Sequence, residues 1–172
     1  ARSSSASATR SPVTVTRDVV SEKTCNKCHD PISAHGGGRK SMAYCVLCHT
    51  PQSVNPDTQN TADMGVFIHK LHRGKDLPSV KAGKPYFMIH RNAKVDFSEI
   101  AFPQDIRNCT VCHEGNTKQV DNWKTNPSKA MCTSCHDNVD PTTGQNHPIP
   151  VANDTLCKNC HTATATAEYD GT

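Results

Sequence analysis

Ten cysteines and ten histidines are the residues of this 172-residue chain most able to do chemistry. Every cysteine falls into one pattern, C-x-x-C-H, at Cys25/Cys28/His29, Cys45/Cys48/His49, Cys109/Cys112/His113, Cys132/Cys135/His136 and Cys157/Cys160/His161. Two cysteines three apart on one helical turn can form thioethers to the two vinyl groups of a single porphyrin. The next residue, histidine, then lies under the ring and can bind its iron. Zinc ribbons use paired C-x-x-C knuckles, and thioredoxin-type sites do not require a following histidine. Disulfides within the motifs would need no histidine either. The pattern therefore predicts five covalently attached haem c groups, with His29, His49, His113, His136 and His161 as proximal ligands.

Five histidines remain: His35, His69, His72, His90 and His147. A lone histidine is ordinarily a surface or satisfied core residue. Here the count matches the number of sixth ligands that five irons need, so all five are expected to be distal ligands. Met42, Met64, Met88 and Met131 are the rival ligands, and a His/Met haem would have a raised potential. The methionines are expected instead to pack against porphyrin faces, a use suited to a soft, flexible side chain. Arg17, Arg39, Arg73, Arg91 and Arg107 are candidates for pairing haem propionates, with at least half of them expected to face solvent.

The elements that must position these groups are sparse. Leu, Ile, Val and Phe make up only about 16% of the chain, below the roughly 20% at which a chain has enough apolar material for a core. A formal net charge of +3 is too small for charge-driven disorder. The prosthetic groups must therefore supply the interior. Lys and Arg are scattered and few aromatics interleave with them, which argues against nucleic-acid binding. No apolar run approaches the length of a transmembrane helix. The first residues lack the apolar stretch of a signal peptide, and no cysteine precedes Cys25, so no lipid-anchored cysteine is expected there.

The motifs come as two, then a long insertion, then three. Within the insertion, Met64, Phe67, Ile68 and Leu71 follow a helical period, with Gly74 as its C-cap. His69 and His72 lie three apart on that helix, and each is expected to serve a different iron. His35 precedes three glycines, and it is expected to serve an iron other than the first. Prolines and glycines punctuate the rest. The expected fold is mainly α with extensive coil and little or no β-sheet, packed around haem. Residues 1–20 read as a linker or the remnant strand of an upstream β domain, with Val13, Val15 and Val19 alternating. Residues 21–162 form the pentahaem domain and 163–172 a tail.

Several connecting segments resemble a known family. Phe102-Pro-Gln-Asp-Ile-Arg-Asn-Cys-Thr-Val-Cys-His113, Ile68-His-Lys-Leu-His-Arg-Gly74, Leu77-Pro-Ser-Val-Lys-Ala-Gly-Lys-Pro-Tyr86 and Cys25-Asn-Lys-Cys-His-Asp30 are similar to segments of the outer-membrane decahaem cytochromes of metal-reducing bacteria, the MtrC and OmcA kind. The resemblance covers about residues 17–162. It implies bis-histidine haems, a cell-surface location on the outer membrane, and electron delivery to extracellular iron or manganese oxides, ferric chelates and flavins. It also implies redox partners such as an outer-membrane conduit or other cytochromes. With five motifs against the family's ten haems, the chain looks like one pentahaem domain or a short relative.

Saturated coordination separates the functional classes. A haem reductase needs one open iron, and no C-x-x-C-K motif is present. Electron transfer needs only closely packed haems with exposed edges. The expectation is an electron-transfer protein, not an enzyme acting on a small substrate at iron. A soluble periplasmic pentahaem shuttle is the alternative, and a haem reductase with one open iron the more distant one.

Overall fold

The computed structural model describes residues 17–161. The expected alternation of Val13 and Val15, and the tail from 163, lie outside the described residues. The architecture is mainly α with extensive coil. Six helices are present among the described residues: α1 (Glu22–Cys25), α2 (Met42–Cys48), α3 (Met64–Arg73), α4 (Pro78–Lys81), α5 (Asn122–Thr125) and α6 (Lys129–Cys135). One antiparallel hairpin joins β1 (Phe87–His90) to β2 (Ala93–Asp96), with Phe87 opposite Asp96 and His90 opposite Ala93. Single 3-10 turns cover Cys109–Val111 and Asp154–Asn159.

Short polar caps set where the helices begin. The side chains of Ser41, Asp63, Ser128 and Asn153 accept hydrogen bonds from backbone amides at the starts of α2, α3, α6 and the 154–159 turn. α3 is the longest element and matches the helical period of the sequence. It ends at Gly74, whose φ is +38°. A Cβ there would run into the carbonyls of Ile100 and Phe97. Glycine is therefore required by both backbone conformation and space.

The protein core is small and lies in the insertion. Leu77, fully buried, packs with Tyr86 and Met88, and Phe67, Leu71, Val80 and Phe97 close around them. Met88 thus sits in protein packing. Met131 of α6 packs against Gly65 of α3, joining those two helices. By contrast, Tyr44, Leu47, Ile149 and Leu156 are exposed beside the second and fifth motifs. The side chains alone leave the motif-bearing ends without an interior, as the low apolar content requires.

Residues 17–20 form no strand. They run beside 117–119: the Gln119 amide donates to the Asp18 carbonyl at 2.9 Å, and Thr117 Oγ1 donates to the Val19 carbonyl at 2.9 Å.

Candidate haem sites

All five motifs share one backbone hydrogen bond. The histidine amide donates to the carbonyl of the first cysteine, at 3.0 Å for His29, 2.9 Å for His49, 2.8 Å for His113, 3.0 Å for His136 and 2.9 Å for His161. That bond closes one turn of chain, which puts the two thiols and the imidazole on neighbouring positions. No cysteine is joined in a disulfide among the described residues.

Both cysteines of a motif ride on one α-helix at two motifs: α2 carries Cys45 and Cys48, and α6 carries Cys132 and Cys135. α1 stops at Cys25, so Cys28 lies outside it, in a turn. Cys112 likewise follows the 109–111 turn, and Cys160 follows the 154–159 turn. The amides of these three donate to the carbonyl three residues back, at 3.1 Å for Cys28, 3.2 Å for Cys112 and 3.3 Å for Cys160. This is the tighter 3-10 pattern, common where a short helical piece ends. Cys28, Cys48, Cys112 and Cys160 are exposed, whereas Cys25, Cys45, Cys109 and Cys157 are half-buried. The physical reason is the scarcity of apolar side chains at the motif-bearing ends. In these four motifs the first cysteine is more buried than the second, and in the fourth motif the order is reversed, with Cys132 exposed and Cys135 half-buried.

Histidines from elsewhere in the chain face four of the motif imidazoles. Ring centroids are 6.2 Å apart for His29 and His72, 6.1 Å for His49 and His35, 6.1 Å for His113 and His69, and 6.2 Å for His161 and His147. An iron bound on opposite faces by two imidazole nitrogens, at about 2.0–2.1 Å each, sets the ring centres about 6.3 Å apart. The spacing fits a metal between the rings and is too long for direct hydrogen bonding.

The hydrogen bonds behind these rings point the same way. Nδ1 lies 2.8 Å from the Ala62 carbonyl in His49, 2.7 Å from the Gly65 carbonyl in His69, 2.9 Å from the Ile68 carbonyl in His72 and 2.6 Å from the Ile149 carbonyl in His147. A carbonyl can only accept, so each Nδ1 carries the proton and Nε2 is left with its lone pair for a metal. In α3 the acceptors are the carbonyls four residues back, so the helix itself orients His69 and His72. Burial holds His72 and His113 below the usual imidazole range. Burial, followed by the neighbouring His49 and His90, does the same for His35. All three are thus favoured in the neutral form a metal needs.

His90 and His136 are not brought together. His90 ends β1 and its ring lies 5.4 Å from that of His35. No aromatic or imidazole ring stands against His136 among the described residues. At the third motif, Trp123 lies 6.4 Å from His113. Trp123 Nε1, His113 Nδ1 and Arg73 Nε are all buried without a hydrogen-bond partner among the described residues. Groups placed so are suited to an acceptor that is not protein.

The pairing of His35 with His49 and of His147 with His161 has a signal in the sequence that motif counting misses. Each pair is fourteen positions apart, and each distal histidine precedes the first cysteine of its motif by ten. Trp123 carries no such signal.

Five C-x-x-C-H turns, four of them faced by a second imidazole, define a multihaem c-type cytochrome domain. Residues 17–171 match the family model of the outer membrane cytochrome MtrC/MtrF-like proteins, domains II/IV. The chain belongs to this family, that of the MtrC and OmcA decahaem cytochromes. It is 28% identical over 159 residues to the multihaem cytochrome MtrC of Shewanella baltica (strain OS185), covering 90% of this chain and 20% of that protein. The crystal structure of the outer membrane decahaem cytochrome OmcA is similar at a TM-score of 0.66 and 30% identity, covering 87% of this chain and 22% of that one. The crystal structure of MtrC from the same Shewanella strain is similar at 0.65 and 27%, covering 94% and 22%. The chain thus spans about a fifth of the length of these relatives. Among the described residues no helix is long and apolar enough to cross a membrane.

Proposed function

We propose that this domain relays electrons through five covalently attached haems, each iron held between two histidines, toward extracellular acceptors such as metal oxides, ferric chelates and flavins. The observation that carries the reading is the set of four imidazole pairs at 6.1–6.2 Å. Bound haem supplies a one-electron iron couple, and two imidazole ligands favour outer-sphere transfer over substrate binding. The thioether positions are Cys25 with Cys28, Cys45 with Cys48, Cys109 with Cys112, Cys132 with Cys135 and Cys157 with Cys160. The exposure of Cys28 and Cys160 suits this role, since a porphyrin joined there covers thiols that the protein leaves open. His29 is assigned with His72, His49 with His35, His113 with His69 and His161 with His147. His136 is assigned with His90 by count, which requires the end of the hairpin to move.

Contacts between the motifs support an order for the sites. Glu22 of the first motif helix accepts from the Met42 amide at 2.8 Å, joining motifs one and two. Lys27 pairs with Glu114, joining one and three. The helix that bears His69 holds Asp137 of motif four through Lys70 at 3.1 Å. The Lys129 amide donates to Asp154 at 3.2 Å, joining four and five. The supported route is two–one–three–four–five, with motifs two and five at the ends, where Tyr44, Leu47, Ile149 and Leu156 are exposed. Membership of this family supports a place on the cell surface at the outer membrane, with electrons taken from an outer-membrane conduit or another cytochrome.

Carbon monoxide and nitrite, added separately to fully reduced holo-protein, test the reading. Closed irons give little change in the Soret band and no sustained nitrite turnover. Stoichiometric carbon monoxide binding together with rapid turnover would overturn the relay in favour of a reductase.

A further inference from the structure

We propose that His35 is an exchangeable ligand, which yields the iron of the second motif to a small added donor while the other facing histidines stay bound. This deepens the relay reading and rests on it, since the exchange needs haem at Cys45, Cys48 and His49 with His35 on its far side.

In each of the four facing pairs, one ring gives its Nδ1–H to a backbone carbonyl. At motifs one, three and five that ring is the histidine from elsewhere in the chain: His72 to Ile68 at 2.9 Å, His69 to Gly65 at 2.7 Å and His147 to Ile149 at 2.6 Å. The motif histidine opposite is fixed beside the same porphyrin by its neighbouring cysteines. The chain thus holds both sides of those irons. Motif two is reversed. There the anchored ring is His49 itself, 2.8 Å from the Ala62 carbonyl. Its own carbonyl also accepts from Arg17 Nη1 at 2.8 Å and from the Met64 amide at 3.2 Å. The His35 ring makes no hydrogen bond among the described residues; it faces His49 at 6.1 Å and His90 at 5.4 Å.

The backbone under His35 differs in the same sense. His35 is exposed, whereas His69, His72 and His147 are half-buried. Its φ is +52°, a left-handed conformation disfavoured for a residue with a Cβ. The chain continues through Gly36 and Gly37 at φ of +78° and +84°. A Cβ at Gly36, Gly37 or Gly38 would meet no atom within 4 Å, so this tip stands clear of the rest of the protein. His35 can swing away without disturbing any packing, and only the iron bond opposes it. In the exchange one coordinate bond breaks, from His35 Nε2, and one forms, from a small lone-pair donor. No electron is transferred. The exchangeable iron lies at the motif-two end of the supported route.

The test adds cyanide to the oxidised holo-protein and to its His35→Ala variant, read by EPR and optical kinetics. The wild type should convert one of its five irons, at a rate that levels off as cyanide rises, because His35 must leave first. The other irons should exchange about 10–100-fold more slowly, the usual worth of a hydrogen bond behind a ligand. His35→Ala should also take one cyanide over the same period, at a rate that keeps rising with concentration. No conversion in the wild type, several irons converting together, or any count but one in the variant overturns the proposal. If the variant does not mature, labelling of free imidazoles in the wild type by diethyl pyrocarbonate, with and without bound cyanide, decides by peptide mass. New label at His35 supports the assignment, and new label at His69, His72 or His147 in its place overturns it. Sustained nitrite turnover by the reduced protein would instead count against the relay reading itself.

Discussion

Residues 21–49 and 128–161 each carry two motifs, and each brings a distal and a proximal histidine to nearly the same separation, 6.1 Å for His35 and His49 and 6.2 Å for His147 and His161. The stretch from each distal histidine to its motif has the same length at both ends. The stretch from the preceding motif does not: six positions separate His29 from His35, and eleven separate His136 from His147. At the first end a bridge pairs Ala34 with Arg39, just beside His35. At the second, a turn closed by Asp140 and Gln145 takes up the added residues before His147. The length from each facing histidine to its motif is held, while the length between motifs varies. Loop closure costs rise only slowly with length, so such an insertion is cheap.

The two ends also differ in how the centre holds them. α3 reaches the first end with His72 against His29, with Phe67 stacked on His49 at 5.7 Å, and with the Met64 amide donating to the His49 carbonyl at 3.2 Å. It reaches the second with packing and charge: Met131 against Gly65, and Lys70 on Asp137. Both ends are thus joined to α3 by protein contacts, and the first also by a facing pair of imidazoles.

The largest effect expected is on the whole domain. Protein made without haem attachment should be unfolded, because the protein core is confined to the insertion around Leu77, Tyr86 and Met88. Circular dichroism with thermal scanning reads this. A cooperative transition in the apo-chain would show that protein contacts suffice, and the contrast between ends and centre would collapse.

A smaller, local effect separates the ends. His72→Ala should leave one high-spin iron, at motif one, and loosen residues 22–29, with the second end unchanged. EPR counts the high-spin centre, and amide hydrogen exchange locates the loosening. Equal loosening of both ends would mean that His72 does not act on motif one alone.

Much of the centre is legible in the sequence. The spacing of Met64, Phe67, Ile68 and Leu71 with Gly74 predicts α3 at its observed bounds, because an amphipathic period and a cap act locally. The turn at each motif is legible for the same reason. That Cys28 and Cys160 fall past the end of their helical pieces is not, because helix length at a motif depends on what packs against it. The hairpin β1–β2 is not legible either. Its turn is Arg91-Asn92, with φ of +51° and +63°, a conformation normally flagged by glycine, and tertiary packing of Tyr86 and Met88 holds it there. Nor can the sequence place His90. Its position follows from the hairpin, whose Ile89 carbonyl accepts from Asn55 Nδ2 at 2.8 Å. The order of the sites also depends on long-range contacts, such as Lys27 with Glu114, that no local pattern encodes.

The finest comparison sets Asp137 against Asp30, the residues that follow the motif histidine at the two ends. Asp137 is 6% exposed and accepts from the Ser79 amide at 2.9 Å, from Ser79 Oγ at 2.5 Å and from Lys70 at 3.1 Å. Burial pushes its carboxyl up, but the Ser79 bonds and the Lys70 charge outweigh this and hold it below its ordinary value. A depressed carboxyl stabilises the fold above its unfolded value, and that contribution fades as pH falls through the folded value. Asp30, in the same place at the first end, is exposed. Asp137→Asn removes the charge that Lys70 meets and turns an amide toward two donors, so it should cost roughly 1.5–3 kcal/mol, the range for hydrogen bonds to a charged group. Asp30→Asn should stay within about 0.5 kcal/mol, as exposed substitutions do. Urea unfolding of the two holo-variants at neutral pH measures both. At a pH below the folded value of Asp137, the gap between them should close, since the wild-type carboxyl is then neutral as well. Equal losses at neutral pH, or a gap that persists in acid, would mean that the second end is not held by this charged contact.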